Sequence, residues 1–274
     1  VANSKIAFIG AGNMSSAIIG GLVAKGFNPK HIIATATRQA SLDKVATIAS
    51  VNTTLDNHHA IAQADVVVLG VKPQVMKSVC QELAPTIQAH KPLVISLAAG
   101  LKIESFEQWL GEGLAIVRCM PNTPSLVQCG ASGLFGNEAV SREQKNIATD
   151  MMAAVGITLW VNEESGIDAV TAVSGSGPAY YFLVMEAMQA AGEKLGLPAE
   201  VAKQLTLQTA LGAATMASQS DLDAAELRHR VTSPGGTTEQ AILSLQADGL
   251  ERMFEKAMTA CKNRAIGMAK EMAQ

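Results

Sequence analysis

Several stretches of the chain place residues where they suit the handling of anions. Lys5 to Met14 reads KIAFIGAGNM, an apolar run ending in Gly10-x-Gly12 and followed by small residues. In a strand–turn–helix of this kind the first glycine takes the tight turn. The second lets the main chain approach a pyrophosphate with no Cβ in the way. Free N–H groups and the positive dipole end of the next helix then face the anion. Ser15 stands where the usual fingerprint has a third glycine, and it is small enough for close helix–strand packing. Glycine pairs also serve ordinary turns, but this one heads a strand–helix unit, which favours a dinucleotide. Met120-Pro121-Asn122-Thr123-Pro124 follows a strand and is stiffened by two prolines. Ser174–Tyr180 (SGSGPAY) and Ser233–Thr238 (SPGGTT) each open a helix, with Pro178 suited to a first turn. Each could be a capped helix and nothing more. Backbone donors with hydroxyls beside them also suit a small carboxylate. Beside a dinucleotide turn, they suggest a reductase of a small anionic substrate.

These segments need a scaffold. The first half alternates β-branched runs with helical patterns. Strands are expected at Ile6–Ile9, His31–Ala34, Val66–Gly70, Leu93–Leu97, Ala115–Met120, near Gly133–Phe135 and at Thr158–Val161. Helices are expected at Met14–Lys25, Leu42–Ala49, Gln74–Ile87 and Ile103–Leu110. This alternation predicts βαβ units and a parallel sheet covered on both faces. Beyond about Asn162 strand signals vanish. Ala179–Leu195, Ala199–Gln219, Ala224–Val231, Thr238–Gly249 and Leu250–Met272 read as helices, broken at Gly196-Leu197-Pro198 and at Ser233–Gly236. An α/β domain over 1–162 and an all-helical domain over 163–274 follow. Methionines and alanines such as Met185, Met188, Ala210 and Met216 suit core or subunit-interface packing, and so much apolar helix surface predicts a partner chain.

Composition narrows the classes. Of 274 residues 48% are hydrophobic and 16% charged, enough for a sizeable core. A net charge of −3 argues against a general nucleic-acid binder. No apolar run reaches the roughly 18 residues of a spanning helix, and the first residues lack a signal-peptide layout, so a cytoplasmic protein is expected. Cys80, Cys119, Cys129 and Cys261 have no metal-like spacing, which predicts reduced thiols and no metal site.

The second strand leads into Thr35-Ala36-Thr37-Arg38, where an NAD site normally carries Asp or Glu on the ribose 2′-hydroxyl. Arg38 and the threonines suit a 2′-phosphate instead, so NADPH is expected over NADH; a solvated loop arginine is the other reading. Val71-Lys72-Pro73 and Ala98-Ala99-Gly100 follow later strands, where open α/β sheets bind ligands. Lys72 reads equally well as a surface lysine.

In order along the chain, FIGAGNM, VKP, SLAAG, MPNTP, the run from Asp168 to Tyr180 ending SGSGPAY, and SPGGTT resemble the pyrroline-5-carboxylate reductases over essentially the full length. The resemblance implies an N-terminal Rossmann domain and a C-terminal helical domain interlocked with a second subunit, with larger rings of dimers common. It implies an active site between the Rossmann domain and the helical domains of the dimer. It places the dinucleotide on Gly10, Ala11, Gly12, Asn13 and Met14, with Thr37, Arg38 and Asn57 near its adenosine end. Val71, Lys72, Pro73, Ala98 and Ala99 border its nicotinamide half. The substrate carboxylate meets Ser233, Gly235, Gly236, Thr237 and Thr238, with Thr238 near the substrate nitrogen and Glu164 in the substrate region. Arg230 falls near the cofactor, at a position whose residue type varies in the family. The implied reaction is hydride transfer from NADPH, with NADH the alternative donor, to the C=N carbon of 1-pyrroline-5-carboxylate, giving L-proline.

Hydroxyacid-type dehydrogenases share this two-domain plan but place a catalytic Lys, and an Asn four residues later, after the second glycine pair. Tyr181 and Met185 fill those slots here, and neither protonates a developing alkoxide as a lysine does. A non-catalytic NADPH sensor would need nothing like SPGGTT.

Overall fold

The computed structural model describes residues 4–273. One compact unit runs through Ser176 and takes up the chain again from Cys261; the other is Gly177–Ala260. The packing thus divides at Gly177 and Cys261, whereas the sequence reading divides at 162/163.

In the first unit the elements are β1 (Ile6–Ile9), α1 (Asn13–Ala24), β2 (Ile32–Thr35), α2 (Gln39–Ile48), β3 (Asn52–Thr54), α3 (Asn57–Ile61), β4 (Val66–Leu69), α4 (Pro73–His90), β5 (Leu93–Ser96), α5 (Ile103–Leu110), β6 (Ile116–Met120), β7 (Gly130–Gly136), α6 (Arg142–Ala153), β8 (Gly156–Trp160) and α7 (Gly166–Val170). A π-helical turn, Thr171–Gly175, continues α7. The strands form one sheet in the order β3-β2-β1-β4-β5-β6-β7-β8. Every pair is parallel except β6 with β7. The connection between those two is the MPNTP segment with a short 3₁₀ turn, Thr123–Val127. It is shorter than the dozen residues a parallel crossover needs, so the chain returns antiparallel.

Strand alternation sorts side chains into two cores. Ile6, Phe8, Ile32, Val66, Val68 and Ile95 face α1 and α6, while Ala7, Ile9, Ile33, Val67, Leu69 and Val94 face α4 and α5. The central strands are buried on both faces and read as continuous apolar runs, as parallel strands do.

The second unit holds α8 (Gly177–Lys194), α9 (Ala199–Gln219), α10 (Ala224–Arg230), α11 (Thr237–Ala247) and the first turns of α12 (Leu250–Ala273). Gly196, at φ +99°, makes the turn after α8, and Gly192 and Ala202 let α8 and α9 approach closely. Most of this unit's apolar side chains are uncovered within one chain, Tyr181, Leu183 and Leu211 among them.

The last turns of α12 belong to the first unit. Ala265 and Ala269 are buried there, and Met268 and Met272 lie against Gly100. Among the described residues no helix is long and apolar enough to cross a membrane.

Candidate functional site

Sheet register gathers the expected cofactor residues at one edge. Ile9 pairs with Thr35 and Leu69, Leu69 with Ser96, Ser96 with Arg118, and Thr35 with Thr54. The segments that follow therefore leave the same side of the sheet: Gly10–Met14, Thr37–Arg38, Leu55–Asn57, Val71–Pro73 and Ala98–Ala99. This is the carboxyl edge where open α/β sheets take ligands.

The turn after β1 is tightly specified. Gly10 has φ +96°, and a Cβ there would lie 2.8 Å from Val71 Cγ1 and 3.0 Å from Val71 N. Gly10 N–H points to Thr35 Oγ1 at 3.4 Å, and Ala11 N–H donates to Thr35 O at 2.7 Å. Ser15, in the slot of the missing third glycine, is buried and donates to Gly10 O at 2.7 Å. It ties helix to turn as well as fitting beneath it.

Gly12 differs. Its backbone is extended at φ −80°, and a Cβ there would meet only Gly70 O, at 3.9 Å. The fold tolerates a side chain at Gly12, so its absence leaves room for something outside the protein. No side chain caps α1, and Ser16 N–H is the first to bond back, to Gly12 O at 2.9 Å. The N–H groups of Asn13 and Met14 thus remain for an anion. A cleft of about 620 Å³ runs from Ala11, Gly12 and Asn13 along α1 to Ser41 and Lys44 of α2. These features fit a dinucleotide pyrophosphate.

Thr37 and Arg38 are exposed just before α2, and Arg38 makes no ion pair among the described residues. Asn57 opens α3, with Asp56 accepting from His59 N–H as its cap. Lys72 is exposed at the N-cap of α4, and Pro73 is the first residue of that helix. Ala98 and Ala99 are half-buried, and Ala98 N–H donates to Ser96 Oγ at 3.2 Å.

Glu164 lies at the start of α7 in a network that sequence reasoning missed. Arg118, 3% exposed in the middle of the sheet, donates from Nη1 to Glu164 Oε1 at 2.8 Å, with Asp168 Oδ1 4.0 Å from Nη2. The same Glu164 oxygen accepts from Ile103 N–H at 2.7 Å. The available signal was a lone arginine inside the apolar run Ala115-Ile116-Val117-Arg118-Cys119-Met120. Asn122 of the MPNTP segment is also buried. It donates from Nδ2 to Ser174 O at 3.0 Å and accepts from Ala131 N–H at 2.9 Å, tying SGSG to β7.

In the helical unit the SPGGTT turn opens α11. Gly235 takes φ +72°, and Gly236, the N-cap, supplies no side chain. Gly236 N–H donates to Ser233 O at 2.9 Å, and Gly235 N–H donates to Glu239 Oε2 at 2.7 Å. The turn therefore already holds one carboxylate, its own. The N–H groups of Thr237 and Thr238, in the first turn, have no side-chain cap, and Ser233, Thr237 and Thr238 are exposed. Arg230, at the end of α10, pairs with Glu226 on the same helix at 2.9 Å.

All four cysteines are free. Burial pushes the Cys80 thiol up to about 12, and Cys119 is raised by burial as well, so both are packing residues that resist ionisation.

A family model described as pyrroline-5-carboxylate reductase dimerisation matches residues 164–268, and one described as NADP oxidoreductase coenzyme F420-dependent matches residues 5–100. The pyrroline-5-carboxylate reductase of Pseudomonas aeruginosa is 53% identical over 98% of both chains. The chain belongs to the pyrroline-5-carboxylate reductase family. A solved reductase from Coxiella burnetii is similar at a TM-score of 0.94 with 50% identity, covering 97% of this chain and 98% of that one. A Plasmodium falciparum pyrroline carboxylate reductase solved with NADP bound matches at 0.85 with 30% identity, covering 98% and 99%. As a pyrroline-5-carboxylate reductase, the chain uses NAD(P)H to reduce 1-pyrroline-5-carboxylate to L-proline, the last step of proline biosynthesis. Its two family matches divide the chain much as the anion-handling segments do: the glycine turn lies in one and SPGGTT in the other.

Proposed function

We propose that this enzyme prefers NADPH and works as a cytoplasmic homodimer with interlocked C-terminal helices, in which dimers can assemble into a larger ring. In this reading residues 1–162 hold the cofactor, and residues 163–274 hold the substrate and dimerise. Membranes and nucleic acids have no part in it. The coenzyme preference rests on the loop after β2: it has no carboxylate, and Arg38 is exposed and makes no ion pair among the described residues. A 2′-phosphate placed there gains a charge-assisted partner, and an acidic residue would repel it.

Gly10, Ala11, Gly12, Asn13 and Met14 hold the pyrophosphate; Thr37, Arg38 and Asn57 the adenosine end; Val71, Lys72, Pro73, Ala98 and Ala99 the nicotinamide half. When bound, the reduced nicotinamide supplies the hydride that the imine carbon accepts. Everything else falls to side chains and amides. The substrate carboxylate is held at Ser233–Thr238. Thr237 and Thr238 N–H are the donors left open there, and Gly235 N–H joins them if Glu239 withdraws. Thr238 Oγ1 hydrogen-bonds the imine nitrogen or relays a proton to it from water. A hydroxyl is a poor general acid at its ordinary pKa, so in this reading the proton on the imine nitrogen comes from water or arrives with the substrate. Glu164 serves the substrate side with Oε2, which has no partner among the described residues.

The uncapped, hydroxyl-bearing start of α11 carries this reading. The protein mixed with NADPH and 1-pyrroline-5-carboxylate is expected to consume NADPH absorbance and release proline, with a higher kcat/KM for NADPH than for NADH. Thr238→Ala lowers kcat by about 10- to 100-fold without abolishing turnover, within the range of one acid–base or hydrogen-bonding group. Complete loss with folding and NADPH binding intact would give Thr238 a larger chemical role than this.

A further inference from the structure

We propose that Arg118 and Glu164 are positioning residues that fix the segment bordering the nicotinamide by pinning its far end. The inference rests on the reading that Ala98 and Ala99 border the nicotinamide. The segment leaves β5 at Ser96 and re-enters regular structure at Ile103. Its near end is held by the sheet: Leu97 N–H donates to Leu69 O at 3.1 Å, and Ala98 N–H to Ser96 Oγ at 3.2 Å. Its middle is the Gly100 turn, φ +74°, packed under Met268 and Met272. Its far end is the start of α5, where Lys102 at the N-cap supplies no side-chain acceptor.

Glu164, from a separate element 61 residues away in sequence, fills that role by accepting from Ile103 N–H at 2.7 Å. The same oxygen takes the Arg118 guanidinium at 2.8 Å. The carboxylate is thus held from one side and holds the helix start on the other. Negative charge at a helix N-terminus is favourable.

Stability alone is a poor reason for this arrangement. Arg118 is buried with Nε unpartnered and its second carboxylate, Asp168, at 4.0 Å. A buried ion pair of that kind is commonly matched or bettered by apolar side chains of similar volume. What an apolar pair cannot do is orient a carboxylate toward Ile103 N–H. Small displacements at a reacting centre are costly in rate, so a device that sets the position of Ala98 and Ala99 acts on turnover more than on folding.

The test uses the full-length enzyme. The triple variant Arg118→Leu/Glu164→Leu/Asp168→Asn removes the pin and leaves no unpaired buried charge, since Asp168 would otherwise lose its cation. Arg118→Lys keeps the charge without the fork. In the triple variant without cofactor, amide hydrogen exchange is expected to rise in residues 98–105, with protection elsewhere little changed. With NADPH, kcat falls about 10- to 100-fold while KM for NADPH moves little, and the isotope effect with C4-deuterated NADPH increases. A loss carried by KM for 1-pyrroline-5-carboxylate alone would trace to the substrate-side Oε2 of Glu164 and overturn the positioning role. Arg118→Lys recovers part of both effects. Unchanged exchange at 98–105, or an activity loss that only tracks the loss of folded protein, overturns the proposal. Ala98→Val tests the underlying reading separately: if it leaves NADPH affinity and kcat untouched, Ala98 and Ala99 do not border the nicotinamide, whatever the pin does.

Discussion

Gly10 and Gly12 sit two residues apart in one motif, and the physical reasons for each being glycine differ. At Gly10 an alanine meets both a left-handed φ and the Val71 wall, so Gly10→Ala is expected to cost about 1–2 kcal/mol or more in stability from the backbone term alone. At Gly12 neither constraint exists, so Gly12→Ala should leave stability within about 0.5 kcal/mol while weakening cofactor binding at least about tenfold. Thermal melts and NADPH fluorescence titrations on the two variants separate the effects; a destabilised Gly12→Ala would return that glycine to the fold. Glu239 makes a second argument at this scale. Its carboxylate occupies Gly235 N–H and adds negative charge where the substrate's carboxylate is to bind. Glu239→Ala is therefore expected to lower KM for 1-pyrroline-5-carboxylate by several-fold, about 1 kcal/mol of relieved competition. A raised KM in steady-state assays would mean that Glu239 holds the turn in its binding shape and does not compete. The glycine turn and SPGGTT were legible in the sequence because backbone chemistry needs glycine and helix-start residues at fixed spacing. The Arg118–Glu164 link was not, because it joins residues 46 apart in sequence through a side-chain contact that no local pattern encodes.

At the scale of elements, legibility followed burial. The central strands β1, β4 and β5 and the helices α5 and α9 came out within about a residue of their bounds, since apolar runs and strong periodicity mark them. The edge strand β3, Asn52-Thr53-Thr54, was missed: two of its three residues are exposed, so nothing apolar announces it. α6 was missed because its exposed face is polar, although Ser141 and Gln144 form a reciprocal capping box that the sequence contains. The sequence marks α12 as a helix and places it wholly in the helical half, while its last turns pack on the Rossmann unit around Gly100. Helical period reveals which face is apolar and says nothing of what covers it. Because Ala265 is 6% exposed there, Ala265→Asp should cost about 2 kcal/mol by burying an unpaired carboxylate. It should also weaken NADPH binding, since the loop that α12 supports contains Ala98 and Ala99. A thermal melt with a parallel NADPH titration checks both, and a melt unchanged from the parent would mean that α12 does not pack there in solution.

For the whole molecule the decisive question is which protomer completes which active site. Tyr181, Phe182 and Leu183 on α8 and Leu205 and Leu211 on α9 are each more than half exposed in a single chain, a density of bare apolar surface that monomeric proteins rarely keep. Covering those helices with a second copy puts the SPGGTT turn of either chain within a shared assembly, and two arrangements then compete. Each cofactor half works with its own chain's turn, or with the other's. Two variants, each first assayed alone for its residual activity, distinguish them. Gly12→Val fills the space over the α1 N-terminus and removes cofactor binding. Thr237→Pro deletes an N–H at the first position of α11, where the ring itself fits the helix, so the turn loses a donor without losing the helix. Unfolded together and refolded as a mixture, half of the dimers contain one copy of each. If sites form across the dimer, one of the two sites in each mixed dimer pairs an intact cofactor half with an intact turn, and about a quarter of the full activity returns. If sites form within a chain, every site in the mixture carries one lesion and activity stays at the level of the separate variants. The interlocked dimer proposed above predicts recovery. A mixture that forms mixed dimers, verified by mass spectrometry, and gains no activity would confine catalysis to single chains.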